Sequence, residues 1–288
     1  MGKRFFLIST DHLEERIWFQ DQDDFKVAMN YVAIAAYICG IQVLDFILMS
    51  NHVHFVVNAY PEDARRFIDY FKLLYSKYLQ IRYGSAKFLR RNASDIQLLN
   101  TGDESLERAI AYVHMNCVAA NICVHPSQYT WGCGDAFFNP NSNIPCKELG
   151  ELSFRAQYRL LHSRVKLPSN YLVTSDGFIA PRSYVQVDFV ESLFRSPNRF
   201  QYYLNNSSKA KNRLAQDAMP SFRDQVILSG ITDLCYSLFR KKTIGDLTQE
   251  EKGQMLKQLK YRFSADLAQL SRVTGIPYAE ASNLLDTY

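Results

Sequence analysis

Two histidines separated by one residue are the side chains in this sequence best suited to metal chemistry. His52 and His54 flank Val53, in a stretch where apolar residues dominate on both sides. On a β-strand, residues two apart point to the same side, so the two imidazoles would project together. Neutral imidazoles that converge in this way bind divalent metals. Paired histidines are also common as polar surface residues of a strand, so the spacing by itself leaves both interpretations open.

A tyrosine and an asparagine downstream have the spacing of one helical turn. Tyr112 and Asn116 would therefore share a face of a helix. A tyrosine hydroxyl beside a metal can attack a phosphodiester, because the metal stabilises the charge that develops on the phosphoryl oxygens. The Asn116 amide oxygen would complete the ligand set. A core tyrosine and a surface asparagine are the alternative explanation. His114 lies two residues from Tyr112 and is predicted to be a packing or surface residue.

A zinc site is the alternative metal chemistry. Three cysteines and one histidine occur within a short stretch, but without the closely spaced Cys-x-x-Cys pairs of structural zinc sites. The four residues are Cys117, Cys123, His125 and Cys133.

The elements that would position these residues follow from hydrophobic periodicity and from turn residues. The pattern predicts an antiparallel sheet with helices on one face, an α+β fold. A basic cluster of Lys87, Arg90 and Arg91 could contact phosphates or form a solvated edge. The predicted elements are a strand over 5–10, a helix over 21–39 that ends at Gly40, strands over 41–49 and 52–58 in a hairpin, a helix over 61–83, one or two strands within 88–99, and a helix over 104–122 capped by Asp103.

Beyond residue 135 the predicted secondary structure of the chain changes. Pro and Gly residues punctuate the chain from about Val124 to Pro145, and residues 136–187 are predicted to be a linker followed by a hairpin around 175–177. Residues 188–288 predict a mostly helical accessory domain. Its last part, 264–285, has the helix, Gly-containing turn and helix of a helix-turn-helix. Such an element either reads duplex DNA or only packs, and the sequence leaves both interpretations open.

Composition limits the classes of protein to which the chain can belong. With 288 residues, 47% of them hydrophobic, the chain can bury a large core. A net charge of +4 permits a nucleic-acid partner without demanding one. The apolar runs are too short for a signal peptide or a membrane helix, and the six cysteines have no paired framework. A reduced, cytoplasmic protein is expected, with no membrane partner.

These motifs together resemble those of single-tyrosine HUH transposases, especially the REP-associated tyrosine transposases. Residues 48–57, LMSNHVHFVV, resemble the histidine–hydrophobic–histidine signature of that family, and residues 112–120, YVHMNCVAA, resemble its tyrosine helix. Residues 129–131, YTW, lie where the family has a Tyr-Pro-Trp-like element. The resemblance spans about residues 5–138. Ser50 and Cys117 stand where the family usually has proline.

The resemblance implies a ferredoxin-like HUH nuclease core as a catalytic domain over residues 1–135. It implies an enzyme that uses Mg²⁺ or Mn²⁺ to cut single-stranded DNA, often beside a hairpin. Tyr112 would be the nucleophile, joined to the 5′ phosphate, and His52, His54 and Asn116 would be the metal ligands. No small-molecule cofactor is expected, and the protein would be a monomer or a homodimer. Two alternatives remain, a hairpin-DNA-binding regulator that does not cut and a replication-type nickase.

Overall fold

An antiparallel sheet and the helices that pack on it organise the first part of the protein. The computed structural model describes residues 2–10, 17–84, 94–120, 122–139, 146–207, 224–263 and 265–288. The first six elements are β1 (Arg4–Ser9), α1 (Gln22–Cys39), β2 (Gln42–Leu48), β3 (Val53–Ala59), α2 (Pro61–Tyr83) and β4 (Asp95–Leu99).

Local sequence signals set the ends of the two long helices. The Asp21 side chain accepts a hydrogen bond from the Asp24 backbone N–H and caps α1. Gly40 ends that helix with a φ of +63°, a conformation that glycine adopts without steric cost. Pro61 occupies the first turn of α2, where its missing N–H is not needed. The predicted boundaries of both helices are confirmed.

The four strands form one sheet in the order β2-β3-β1-β4, and every neighbouring pair is antiparallel. Together with α1 and α2 they make a β-α-β-β-α-β unit. The predicted hairpin of β2 and β3 is present, with Leu48 paired to Val53 across the turn. The mixed α and β composition and the antiparallel sheet agree with the α+β prediction.

The helices do not all lie on one face of the sheet, and the prediction is wrong on this point. Phe55 of β3 packs against Phe67 and Phe71 of α2. The preceding residue, His54, instead contacts Tyr112 of the next helix, α3 (Ser105–His114). Because successive strand residues point to opposite faces, α2 and α3 cover opposite sides of the sheet. The hydrophobic pattern of β3 fits this, since the whole strand is apolar except for His54 and Asn58.

The middle of the chain packs against the same hydrophobic core as the sheet. Its elements are α4 (Asn116–Ala119), β5 (Cys146–Glu148), α5 (Phe154–Leu161), β6 (Leu172–Thr174), α6 (Val187–Phe194) and α7 (Pro197–Asn206). β6 pairs with β5. The chain also turns back around residues 175–177 as predicted, with an antiparallel bridge from Val173 to Ile179 and hydrogen bonds from the Thr174 N–H to the Phe178 carbonyl oxygen and from the Ala180 N–H to the Leu172 carbonyl oxygen. The core runs without interruption from Phe6 to Leu204, past the predicted boundary at residue 135.

The C-terminal helices enclose a second hydrophobic core. They are α8 (Asp224–Phe239), α9 (Gln249–Phe263), α10 (Leu267–Thr274) and α11 (Tyr278–Thr287). This core contains side chains from Ile227 to Leu284. Gly275, with a φ of +71°, ends α10, so the predicted order of helix, glycine turn and helix is confirmed. Across the described ranges, no helix combines the length and the apolar character that a membrane crossing requires.

Candidate active site

Strand β3 brings the two predicted histidine ligands together. His52 directly precedes the strand and His54 is its second residue. Their ring centroids are 5.0 Å apart, and the rings meet edge to face. His54 is fully buried, whereas His52 is half-buried. The Nδ1 atom of His52 lies 2.9 Å from the Asn51 side-chain oxygen, which orients the ring.

The predicted nucleophile lies against this pair. The ring of Tyr112 is 5.4 Å from the ring of His54, again edge to face. The tyrosine is half-buried on α3. The predicted helix over 104–122 is interrupted, because α3 ends at His114 and a short helix, α4, begins at Asn116. Tyr112 and Asn116 stay together across this break, since the Asn116 amide nitrogen donates to the Tyr112 carbonyl oxygen at 2.9 Å.

The side chains gathered here suit a divalent metal. Two imidazoles supply nitrogen ligands, which zinc, manganese and similar ions accept. The Asn116 amide nitrogen also donates to the Val113 carbonyl oxygen at 3.2 Å, so the backbone fixes that nitrogen and the amide oxygen is the atom available to a metal. The two imidazoles lie side by side, and the assignment of His52, His54 and Asn116 to one ion stays a prediction.

A buried pair that the sequence interpretation missed holds the tyrosine helix on the sheet. The Nδ1 atom of His114 lies 2.7 Å from a carboxylate oxygen of Asp45 in β2, and both side chains are buried. Burial raises the pKa of Asp45, while His114 opposes that rise. His114 is thus a packing residue, one of the two predicted possibilities. The sequence contained an indication of this pair, because a carboxylate within an apolar strand needs a buried hydrogen-bond partner.

A bulge in β2 turns Asp45 toward that helix. Val43 is paired with Val57 and Asp45 with Val56, so Leu44 is the extra residue on its strand. Without this insertion, the alternation of the strand would direct Asp45 to the opposite face, toward α2. The bulge therefore decides which side of the sheet carries the carboxylate. In consequence it also decides where the Tyr112 helix is fixed.

The segment after α4 closes the edge of the sheet next to the histidines. The hydroxyl of Tyr129 donates to the Leu48 carbonyl oxygen at 2.7 Å, and the Leu48 N–H donates to the Trp131 carbonyl oxygen at 2.8 Å. Gly132 bridges to Ile47, and a Cβ at that position would lie 2.7 Å from the Phe46 carbonyl oxygen. Only glycine permits so close an approach. The Tyr-Thr-Trp element thus fixes the strand end that leads into His52.

A buried carboxylate joins the C-terminal helices to the turn between β2 and β3. Asp224, the first residue of α8, accepts a hydrogen bond from the Ser50 hydroxyl. It also pairs with Arg272 of α10 through contacts of 2.7 and 3.1 Å and accepts from Gln269 at 2.8 Å. Burial by itself would raise the pKa of Asp224, but Arg272 and the hydrogen bonds outweigh it and hold the pKa below 3.8. Ser50, which stands where the resembled family has proline, is therefore a contact between the two hydrophobic cores.

The sequence also singled out a basic cluster and a cluster of cysteines with one histidine. Lys87, Arg90 and Arg91 lie outside the described residues. No group of three or more His, Cys, Asp or Glu side chains in the described ranges could hold a metal, so the zinc interpretation has no site there. His125 bonds instead to Ser127 and Gln201.

The charges of the helix-turn-helix do not suit duplex DNA. Its second helix, α11, carries Glu280 and Asp286 and has no Lys or Arg. A helix that enters the major groove is normally accompanied by cations that contact the phosphates. The interpretation as a packing element is the one that this composition favours.

No protein-family model matches the chain, and no curated protein matches it. Among solved structures, the chain is similar to a REP-associated tyrosine transposase bound to a REP hairpin. The identity is 10%, the match covers 46% of this chain and 76% of that protein, and the TM-score is 0.33.

Proposed function

We propose that this protein is a metal-dependent enzyme that nicks and rejoins single-stranded DNA through a covalent tyrosine intermediate. The observation that supports this best is the contact of one buried ring, His54, with both the second histidine and Tyr112. A nucleophilic hydroxyl beside a pair of metal-binding imidazoles is the arrangement that phosphodiester transfer needs. Mg²⁺ or Mn²⁺ bound by His52, His54 and Asn116 would polarise the phosphate and neutralise its developing charge.

The bond formation, the proton transfer and the positioning involve the protein's own residues. The Tyr112 oxygen forms a bond to phosphorus while the bond from phosphorus to the 3′ oxygen breaks. The proton of the tyrosine hydroxyl ends on that 3′ oxygen, which leaves a 3′ hydroxyl and a 5′ phosphotyrosine. Rejoining is the reverse attack by a 3′ hydroxyl, so no external energy source is required. The Asp45–His114 pair holds the tyrosine helix in place throughout.

The test is adduct formation on a denaturing gel. The full-length protein is mixed with Mn²⁺ and a fluorescently labelled single-stranded DNA that contains a hairpin from the region flanking its gene. A shifted, labelled protein band is expected with the native protein. Tyr112→Phe is expected to lose the band while still binding the DNA, because only the hydroxyl is removed. Tyr261→Phe is a matched control, since it also loses a single tyrosine hydroxyl, from a ring that is 88% exposed and outside the site, and it is expected to keep the band.

Two outcomes would contradict this reasoning. An adduct that persists in Tyr112→Phe would show that another residue is the nucleophile. An adduct that forms equally well in His52→Ala and in the presence of a chelator would exclude the metal role. Binding of the hairpin by the native protein without any adduct would instead indicate a regulator that recognises hairpin DNA without cutting it.

A further inference from the structure

Helix α5 exposes two aromatic rings beside a line of arginines. Phe154 is 62% exposed and Tyr158 is 47% exposed. They are four residues apart and therefore lie one turn apart on the same side of the helix. Arg155 and Arg159 have the same spacing on the adjacent side, and both are exposed. Two exposed rings one turn apart, with cations on the adjacent side, are a candidate binding surface.

The charge of the same segment has one sign. Between Ser153 and Asn170 there are four exposed Lys and Arg residues and no Asp or Glu. None of the four takes part in an ion pair within the described parts of the chain, unlike Arg82 and Arg272, which pair with Asp24 and Asp224. The four are Arg155, Arg159, Arg164 and Lys166. Unpaired cations on one surface are available for the phosphates of a nucleic acid.

The helix is fixed firmly enough to present these groups in a defined arrangement. The Asn30 amide of α1 donates to the Leu160 carbonyl oxygen at 2.9 Å, and its oxygen accepts from the Ile179 N–H at 2.8 Å. Ser153 caps the helix by accepting from the Ala156 N–H. These contacts hold the start of α5 and its last turn. The exposed side remains open while the backbone is held.

We propose that α5 and the segment after it are a second DNA-binding surface, specific for single strands. Phe154 and Tyr158 stack on bases, and Arg155, Arg159, Arg164 and Lys166 contact phosphates. Stacking rings interspersed with cations bind single-stranded nucleic acid without sequence preference. The leucines of α5 add no further apolar surface to the two rings, because Leu161 is buried and Leu160 is partly buried. A duplex would offer no open base faces to the two rings.

This surface is separate from the candidate active site. α5 packs on α1, and α1 packs on α2, whose phenylalanines contact the sheet face opposite Tyr112. Binding here does not depend on covalent chemistry at the tyrosine. A negative result for the tyrosine chemistry therefore does not exclude the α5 surface, and the reverse also holds.

The test is fluorescence anisotropy of a fluorescein-labelled oligothymidylate with the full-length protein. The double variant Phe154→Ala/Tyr158→Ala is expected to bind at least tenfold more weakly, from the loss of two stacking contacts. Arg155→Gln/Arg159→Gln is expected to reduce the slope of log affinity against log salt by about 1.4, the effect of two phosphate contacts on a single strand. Tyr112→Phe is expected to bind as the native protein does.

Matched controls come from α9, which also carries an exposed ring and exposed lysines. Tyr261→Ala removes a ring that is 88% exposed, and Lys257→Gln/Lys260→Gln removes two exposed cations. Both are expected to leave affinity and salt slope unchanged. Equal losses in the α5 and α9 variants would overturn the proposal, because the effect would then be one of overall charge and hydrophobicity. Unchanged oligothymidylate binding in the α5 variants, or a loss confined to binding of anionic vesicles, would overturn it too.

Discussion

Replacement of Asp224 by asparagine tests how the C-terminal helices are held against the rest of the protein. The carboxylate is buried and receives hydrogen bonds from Ser50, Gln269 and Arg272. Asn keeps the size of the side chain but removes the charge, so Arg272 loses its paired carboxylate and keeps only the weaker interaction with Asp266. Loss of one partner of a buried ion pair costs roughly 3–5 kcal/mol. Because Arg272 retains 24% exposure, the expected loss in the free energy of unfolding is at the lower end, about 3 kcal/mol.

The measurement is urea denaturation followed by two signals. Tryptophan fluorescence reports on the first core, because Trp18 and Trp131 both lie there. The backbone N–H of Trp18 donates to the Ser50 carbonyl oxygen, which places Trp18 next to the Asp224 contact. Far-ultraviolet circular dichroism reports on all helices. A loss of about 3 kcal/mol moves the urea midpoint down by about 1 M for a chain of this size. Asp233→Asn on the exposed side of α8 is the matched control, with an expected change within about 0.5 kcal/mol.

The pH dependence supplies a second check on the same residue. The pKa of Asp224 is lower in the folded protein than the 3.8 of an unperturbed aspartate. Its contribution to stability is therefore complete above the unfolded pKa and is lost as pH falls through the folded value. The stability difference between native protein and Asp224→Asn is expected to be constant near neutrality and to shrink below about pH 4. A difference no larger than that of Asp233→Asn at neutral pH would refute the buried ion pair.

Two further substitutions test the positions of the strand and the tyrosine helix. His114→Ala leaves Asp45 buried without its partner, so the free energy of unfolding is expected to fall by about 3 kcal/mol. Urea denaturation measures this, and a change below about 1 kcal/mol would contradict a role for the pair in holding α3. Gly132→Ala places a Cβ 2.7 Å from the Phe46 carbonyl oxygen and is expected to cost about 1–3 kcal/mol in thermal or urea unfolding. Gly102→Ala, where a Cβ would meet nothing within 4 Å, is the control, and an equal effect in both would refute the close approach.

The ends of the principal elements could be predicted from local sequence. Helix α2 begins at Pro61 and ends before Gly84, and α1 lies between the Asp21 cap and Gly40. These boundaries depend on the conformational preferences of a few residues, which act over a single turn of chain. The same is true of the histidine pair, because two imidazoles two residues apart on a strand must project to one side.

The break in the tyrosine helix could not be predicted in this way. Tyr112 and Asn116 have helical spacing, yet α3 ends at His114 and α4 begins at Asn116. Met115 between them is a good helix former, so local propensity gives no reason for a break. The near-continuous apolar run of β3 is typical of a strand covered on both faces, but it does not indicate which helices cover them.

The sequence by itself determined the chemical candidates and the elements on which they lie, since both follow from residue type and from spacing along one short segment. Only the tertiary structure decided that His54 meets Tyr112, that the Leu44 bulge turns Asp45 toward His114, and that Asp224 reaches the turn before His52. Each of these contacts joins residues at least 58 positions apart. Their geometry depends on strand register and on the packing of whole helices, and no local preference in the chain specifies those distances.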